Sequence, residues 1–312
     1  MIDPADPSTA RAGLEAIARP DGTLAILAMD QRTTLRRMLR VAERPSAPAD
    51  LSAFKVDVTA ALSPLVPAVL LDPDYGVPAV THARALAPTS ALLVAVEPAE
   101  QDEWNGEPRV RRDLGRTAAW VREMGGRAVK LLVHLRPDRP RAAGGPDLVT
   151  EVLEVVAAVV GDSAAAGVPC VVEALLYPLA GEEPLAARRR AELIAESARL
   201  LTQTRPDLLK LEFPADAAGC RAVGAAVTVP WALLSGGMDI DAFLDALALA
   251  CDEGGASGFV AGRVYWKEAV ALAGDERRHF LDTVARARLA RSLEVIDGRA
   301  VPWEMARQRH AR

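Results

Sequence analysis

A (β/α)8 TIM barrel with an extra N-terminal helix is the α/β fold class this sequence predicts. Three observations predict it. Eight short apolar runs bounded by Gly, Pro or Asp recur along the chain. Segments of helical periodicity separate them, so strand and helix alternate. The length of 312 residues is a little over the ~250 typical of such a barrel.

The runs are Leu24 to Asp30, Ala68 to Asp72, Ala91 to Val96, Ala128 to His134, Pro169 to Leu175, Leu208 to Phe213, Trp231 to Ser235 and Gly258 to Gly262. They are continuously apolar, as strands covered on both faces are. The amphipathic stretches Asp50 to Leu62, Arg109 to Met124, Leu148 to Ala166, Pro184 to Leu201 and Ile240 to Glu253 supply helices to cover a parallel sheet. A helix around Thr9 to Ala18 and a tail after Glu276 take up the excess length. Ala142-Ala143-Gly144-Gly145-Pro146 reads as a βα loop, not a linker, so residues 1–312 are expected to form a single barrel domain.

Composition narrows the function classes. Half of the residues are hydrophobic and a quarter charged, which suits a soluble protein with an ample core. A net charge of -5 and basic residues scattered as Arg argue against nucleic acid as a partner. No run approaches the ~18 apolar residues of a membrane span, and Met1-Ile2-Asp3-Pro4 lacks the cations of a signal peptide, so the cytoplasm is the expected location. Cys170, Cys220 and Cys251 are odd in number and have no C-x-x-C spacing, which suits packing in a reducing compartment. His82, His134, His279 and His310 are dispersed without ligand spacing, so no metal is expected.

The lysines point to chemistry. The chain has four lysines and 33 arginines, and Lys130 and Lys210 sit inside apolar strands. A sequence that writes its cations as Arg has kept an amine at those positions, and an amine can lose its proton and attack a carbonyl. A structural lysine paired with Glu173 or Glu212 is the alternative.

Active sites of this fold collect at the C-terminal ends of the strands, and the polar residues fall there. Asp30 and Gln31 end the first strand, Lys130 and His134 share a face of the fourth, and Glu173 interrupts the fifth. Lys210 and Glu212 share a face of the sixth, Ser235 ends the seventh and Arg263 follows the eighth. Strand alternation then points Lys130 with His134, and Lys210 with Glu212, into the barrel.

A lysine buried beside a second cation has a depressed pKa and attacks ketones. Lys130 would be that cation for Lys210, with Glu173 passing protons. The loops Ser235-Gly236-Gly237 and Ala261-Gly262-Arg263 follow strands seven and eight, where this fold commonly binds phosphate. A phosphorylated small molecule is the expected substrate.

Seven motifs in order resemble the tagatose-bisphosphate aldolases and the sulfofructosephosphate aldolases. They are Met29-Asp30-Gln31-Arg32, Leu70-Leu71-Asp72-Pro73-Asp74-Tyr75-Gly76, Ala128-Val129-Lys130-Leu131-Leu132, Glu173, Leu209-Lys210-Leu211-Glu212-Phe213-Pro214, Leu234-Ser235-Gly236-Gly237 and Gly255-Ala256-Ser257-Gly258-Phe259-Val260-Ala261-Gly262-Arg263. The resemblance implies a cofactor-independent class I aldolase that cleaves a ketose 1-phosphate, such as tagatose 1,6-bisphosphate or 6-deoxy-6-sulfofructose 1-phosphate, to dihydroxyacetone phosphate and a three-carbon aldehyde. It implies Lys210 as the Schiff-base lysine, Glu173 as acid and base, Lys130, Asp30 and Gln31 as substrate contacts, and Ser235, Gly237, Gly262 and Arg263 around the phosphate. The departures from both relatives lie in the loops after strands three to five, at Trp104, His134, Arg136, Tyr177 and Pro178. Those loops should contact the far end of the sugar. A non-catalytic sugar-phosphate sensor on the same barrel and a metal-dependent aldolase stay open, as does a homo-oligomer.

Overall fold

The computed structural model describes residues 14–140 and 144–308. Eight parallel strands close into a barrel in the order β1-β10-β9-β8-β7-β6-β3-β2. These strands are β1 (Leu24–Met29), β2 (Ala68–Leu71), β3 (Ala91–Ala95), β6 (Ala128–His134), β7 (Cys170–Leu175), β8 (Leu208–Leu211), β9 (Trp231–Leu233) and β10 (Gly258–Ala261). Each of the eight apolar runs is one of them. The remaining pair, β4 (Asp102–Trp104) and β5 (Glu107–Arg109), forms an antiparallel hairpin outside the barrel.

The helices are α1 (Thr33–Val41), α2 (Pro48–Leu62), α3 (Gly76–Ala83), α4 (Ala118–Glu123), α5 (Leu148–Ala166), α6 (Ala187–Thr202), α7 (Ala217–Ala226), α8 (Ile240–Gly254), α9 (Arg263–Trp266), α10 (Gly274–Phe280), α11 (Arg286–Ile296) and α12 (Trp303–Gln308). Local chemistry sets their ends. Asp147 accepts the amide of Thr150 at the start of α5, and Gly167 leaves that helix at φ 65°. Among the described residues, no helix is long and apolar enough to cross a membrane.

Three expectations need correction or limit. The stretch Arg109 to Met124 is helical only over Ala118–Glu123, started by the Thr117 hydroxyl accepting from the Trp120 amide. Arg109 alone of that stretch joins the hairpin, turned by Asn105 and Gly106 at φ 51° and 79°, and residues 110–117 form a loop. The tail after Glu276 is helical through α10, a π turn at Leu281–Ala285 and α11, and it packs on α8 and α2. Of the helix expected around Thr9 to Ala18, residues 9–13 lie outside the described residues and only Leu14 and Glu15 are helical.

Alternation along the strands divides the core in two. Ala25, Leu27 and Met29 of β1 face the helices, while Leu24, Ile26 and Ala28 face the barrel axis. Inside, Ala28, Ala68, Ala95, Ala128 and Ala232 interleave with Leu70, Leu93, Val171, Leu208 and Val260 in a tightly filled interior. Leu14, Ile17 and Trp303 belong to the same cluster. The inward columns end in charge at the C-terminal mouth: Asp30, Asp72, Glu97, Lys130, Glu173 and Lys210 are all buried there.

Candidate active site

Parallel register places Glu173 of β7 beside Lys210 of β8. Glu173 Oε1 lies 2.9 Å from Lys210 Nζ, and its Oε2 lies 2.8 Å from Lys130 Nζ. One carboxylate therefore bridges the two strand lysines. Lys130 Nζ also lies 2.7 Å from Asp30 Oδ2 and 2.8 Å from Glu97 Oε1. Its three N–H groups thus have three carboxylates, and none is left over for a substrate in this arrangement.

Burial works against the charge of Lys130, but Asp30, Glu173 and Glu97 outweigh it and raise its pKa well above the ordinary lysine value. Burial likewise opposes the charge of Asp30, and there Lys130 and Lys210 prevail and hold the carboxyl low. Glu173 is held low in the same way, against its burial, by Lys130 and Lys210. Lys130 is consequently a fixed cation within reach of the same carboxylate as Lys210.

Glu212 does not join Lys210. The hydrogen-bonded strand ends at Leu211, so the alternation that would turn Glu212 inward stops there. Its carboxylate instead accepts from the Leu176 amide and from Arg190 of α6.

The two glycine loops meet at Gly237 and Arg263. Gly236 and Gly237 have φ 58° and 89°, a left-handed path that favours glycine. Gly262 is needed for close approach, because a Cβ there would lie 1.8 Å from the carbonyl oxygen of Ala28. The Arg263 guanidinium lies over Gly237, with Nη1 3.5 Å from where a Cβ would be. Among the described residues Arg263 has no ion-pair or hydrogen-bond partner, whereas Lys267 Nζ braces the loop through the carbonyls of Gly237 and Met238 and the Asp239 carboxylate. Ser235 is buried beside these glycines.

A cavity of about 260 Å³ opens at this mouth, lined among others by Asp30, Gln31, Glu97, Lys130, Glu173 and Arg263. A larger depression of about 640 Å³ at Ala18, Pro64 and Trp303 carries Glu15, Arg19 and Glu304 but no lysine. The chemistry favours the smaller one. Among the described residues, no group of His, Cys, Asp and Glu is arranged to hold a metal ion.

Several contributors escape a reading of the sequence. Glu97 stands two residues past the end of β3, one beyond its apolar run, and ties Lys130 to the Leu132 amide. Arg32 donates to Asp74 and to the carbonyls of Glu97 and Pro98, which joins the loops after β1, β2 and β3. Lys55 of α2 is fully buried, 2.6 Å from Asp72, and donates to the carbonyls of Met29 and Gln31. All four lysines of the chain thus serve the barrel mouth.

The chain is 28% identical over 323 aligned positions to a tagatose 1,6-diphosphate aldolase of Listeria monocytogenes serotype 4a (strain HCC23), covering 93% of this chain and 92% of that one. It is 26% identical over 314 positions to tagatose 1,6-diphosphate aldolase 2 of Streptococcus pyogenes serotype M3 (strain ATCC BAA-595 / MGAS315), with 91% and 93% covered. A solved archaeal fructose 1,6-bisphosphate aldolase matches at TM-score 0.60 and 19% identity over 90% of this chain and 99% of that one. The Plasmodium falciparum fructose-bisphosphate aldolase matches at 0.69 and 12%, with 94% of each covered. Identities that low speak for the fold alone. Residues 24–268, which run from β1 past α9, match the model described as DeoC/LacD family aldolase, and the chain belongs to that family of carbon–carbon lyases.

Proposed function

We propose that this protein is a class I aldolase that cleaves a ketose 1-phosphate to dihydroxyacetone phosphate and an aldehyde through an imine on Lys210. The observation that carries the reading is the Glu173 carboxylate, one oxygen on Lys210 Nζ and the other on the fixed cation Lys130. Glu173 takes a proton from Lys210 Nζ, the free amine adds to the ketone carbon, and loss of water leaves an iminium. A base takes the proton of the C4 hydroxyl, the C3–C4 bond breaks, and its electron pair enters the iminium to give an enamine and the aldehyde. Protonation of the enamine at C3 and hydrolysis return Lys210 and release dihydroxyacetone phosphate.

Glu173 is positioned for these proton transfers because it touches the nucleophile itself. Lys130 keeps that carboxylate ionised between transfers, and Asp30 and Glu97 hold Lys130 in place. The 1-phosphate is assigned to Arg263 and the backbone of Ser235, Gly236, Gly237 and Gly262, since Arg263 is a guanidinium without a partner among the described residues and lies beside glycine backbone. Gln31, whose side-chain amide donates to Asp30 at 3.1 Å, is placed to contact the sugar. The expected setting is the cytoplasm.

Borohydride reduction in the presence of a ketose phosphate tests the reading. The protein should gain a covalent mass adduct, mapped to Lys210 and absent in Lys210→Arg. No adduct from tagatose 1,6-bisphosphate, fructose 1,6-bisphosphate or 6-deoxy-6-sulfofructose 1-phosphate, with no dihydroxyacetone phosphate released, would leave a sensor or a metal-dependent enzyme in its place.

A further inference from the structure

We propose that His134, oriented by Gln101, reads the far end of the sugar as a hydrogen-bond acceptor, and that the preferred substrates are ketose 1-phosphates whose sixth carbon bears an uncharged hydroxyl. This rests on the Schiff-base reading and narrows its substrate class.

His134 stands four residues beyond Lys130 on β6, on the same face of the strand, and lines the cavity. Its Nδ1 lies 2.9 Å from Gln101 Oε1. An amide oxygen only accepts, so Nδ1 carries the hydrogen and Nε2 the lone pair. Among the described residues Nε2 has no protein partner. A free acceptor suits a hydroxyl, which can donate to it, and repels the oxygens of phosphate or sulfonate.

The imidazole stays neutral. Burial lowers its pKa, Glu173 and Glu97 push it up and Lys130 pushes it down, and burial dominates. Leu132 and Leu175 complete an apolar frame beside it.

The cations near this end are already engaged. Arg32 is held by Asp74 and two carbonyls, Arg136 by Asp138 and Glu182, and Arg139 by Glu107. Among the described residues that line the cavity, the guanidinium without a partner is Arg263, assigned above to the 1-phosphate. Among the described residues, a second phosphate would face Glu97 and Glu173 with no unengaged cation beside it, and an uncompensated buried dianion is strongly disfavoured.

The test uses substrates of one configuration that differ in charge at carbon six: fructose 1-phosphate, 6-deoxy-6-sulfofructose 1-phosphate and fructose 1,6-bisphosphate. Tagatose 1-phosphate and tagatose 1,6-bisphosphate serve as a second pair. From hydroxyl to phosphate, kcat/KM should fall by at least about tenfold, the ratio one charge-assisted hydrogen bond supports, with sulfonate between. His134→Arg supplies a cation and should raise the bisphosphate-to-monophosphate ratio by a similar factor. His134→Gln, whose amide both donates and accepts, should raise it less. A wild-type enzyme that uses the bisphosphate as well as or better than the monophosphate overturns the proposal. So do His134 variants that change every substrate by the same factor. Failure of the underlying Schiff-base reading would look different, with no dihydroxyacetone phosphate from any of the five and no borohydride adduct on Lys210.

Discussion

Lys210 Nζ and Glu173 Oε1 lie 2.9 Å apart across adjacent parallel strands, with both side chains buried at the barrel mouth. A carboxylate in contact with the proposed nucleophile can take its proton and return it without a diffusing buffer. Glu173→Gln keeps the shape and removes that capacity, so kcat should fall by roughly 10² to 10⁴, the usual worth of a positioned acid or base. The check is steady-state turnover on the best ketose phosphate, alongside circular dichroism to verify folding. A change under about tenfold would assign the proton to another group.

Lys130 carries a stability prediction. Its ammonium neutralises part of a buried cluster of three carboxylates, so Lys130→Met leaves Asp30, Glu97 and Glu173 facing one another with Lys210 on Glu173 and Arg32, 3.8 Å from Glu97, as the cations that remain. Removing one partner of a buried ion pair costs on the order of 3–5 kcal/mol. Urea unfolding should show that loss. A double variant, Lys130→Met with Glu97→Gln, should recover part of it, because one orphaned charge is gone.

The residues that a strand pattern exposes are the ones legible in the sequence. Asp30, Lys130, Glu173 and Lys210 each interrupt or end an apolar run, and the barrel geometry brings all four together. Glu97 obeys the same rule but stands one residue past its run, followed by Pro98, where the strand signal has already stopped. Lys55 sits in an amphipathic helix that reads as half exposed, and only the tertiary fold turns its amine toward Asp72. The β4–β5 hairpin has no apolar run to announce it, although Asn105-Gly106 is a strong two-residue turn signal. Glu212 misleads for the opposite reason, since alternation extends it inward by sequence while the ladder ends at Leu211. The partner a side chain finds across strands depends on register, which no local pattern contains.

Acid should destabilise the protein with a definite sign. Asp30, Glu173 and Asp74 are held below their ordinary values, each against its burial, the first two by the strand lysines and Asp74 by Arg32 and Arg116. A carboxyl whose folded pKa lies below its unfolded one contributes stability that is complete above the unfolded value and lost as pH falls through the folded value. Glu212 acts in reverse, because burial raises it. Three depressed groups outweigh one raised group, so urea midpoints should hold above about pH 5 and drop steadily below about pH 4, where ordinary Asp and Glu titrate. Asp30→Asn should start less stable and lose less on acidification. An equal acid loss in that variant would exclude Asp30 as a contributor.

Arg263, the proposed phosphate ligand, separates binding from the chemistry. Its guanidinium lies over Gly237 without a protein partner among the described residues, so a substrate phosphate is free to take it. Arg263→Ala should weaken kcat/KM for a phosphorylated ketose by about 1.5–3 kcal/mol per lost charged hydrogen bond, and by more if the fork is bidentate. The loss should fall mainly on KM if the contact is made equally in ground and transition states. The unphosphorylated ketose is the control, because it never engages the guanidinium and its poor cleavage should barely change. Equal losses on both substrates would instead make Arg263 a support for the Gly237 loop, which Lys267 already braces.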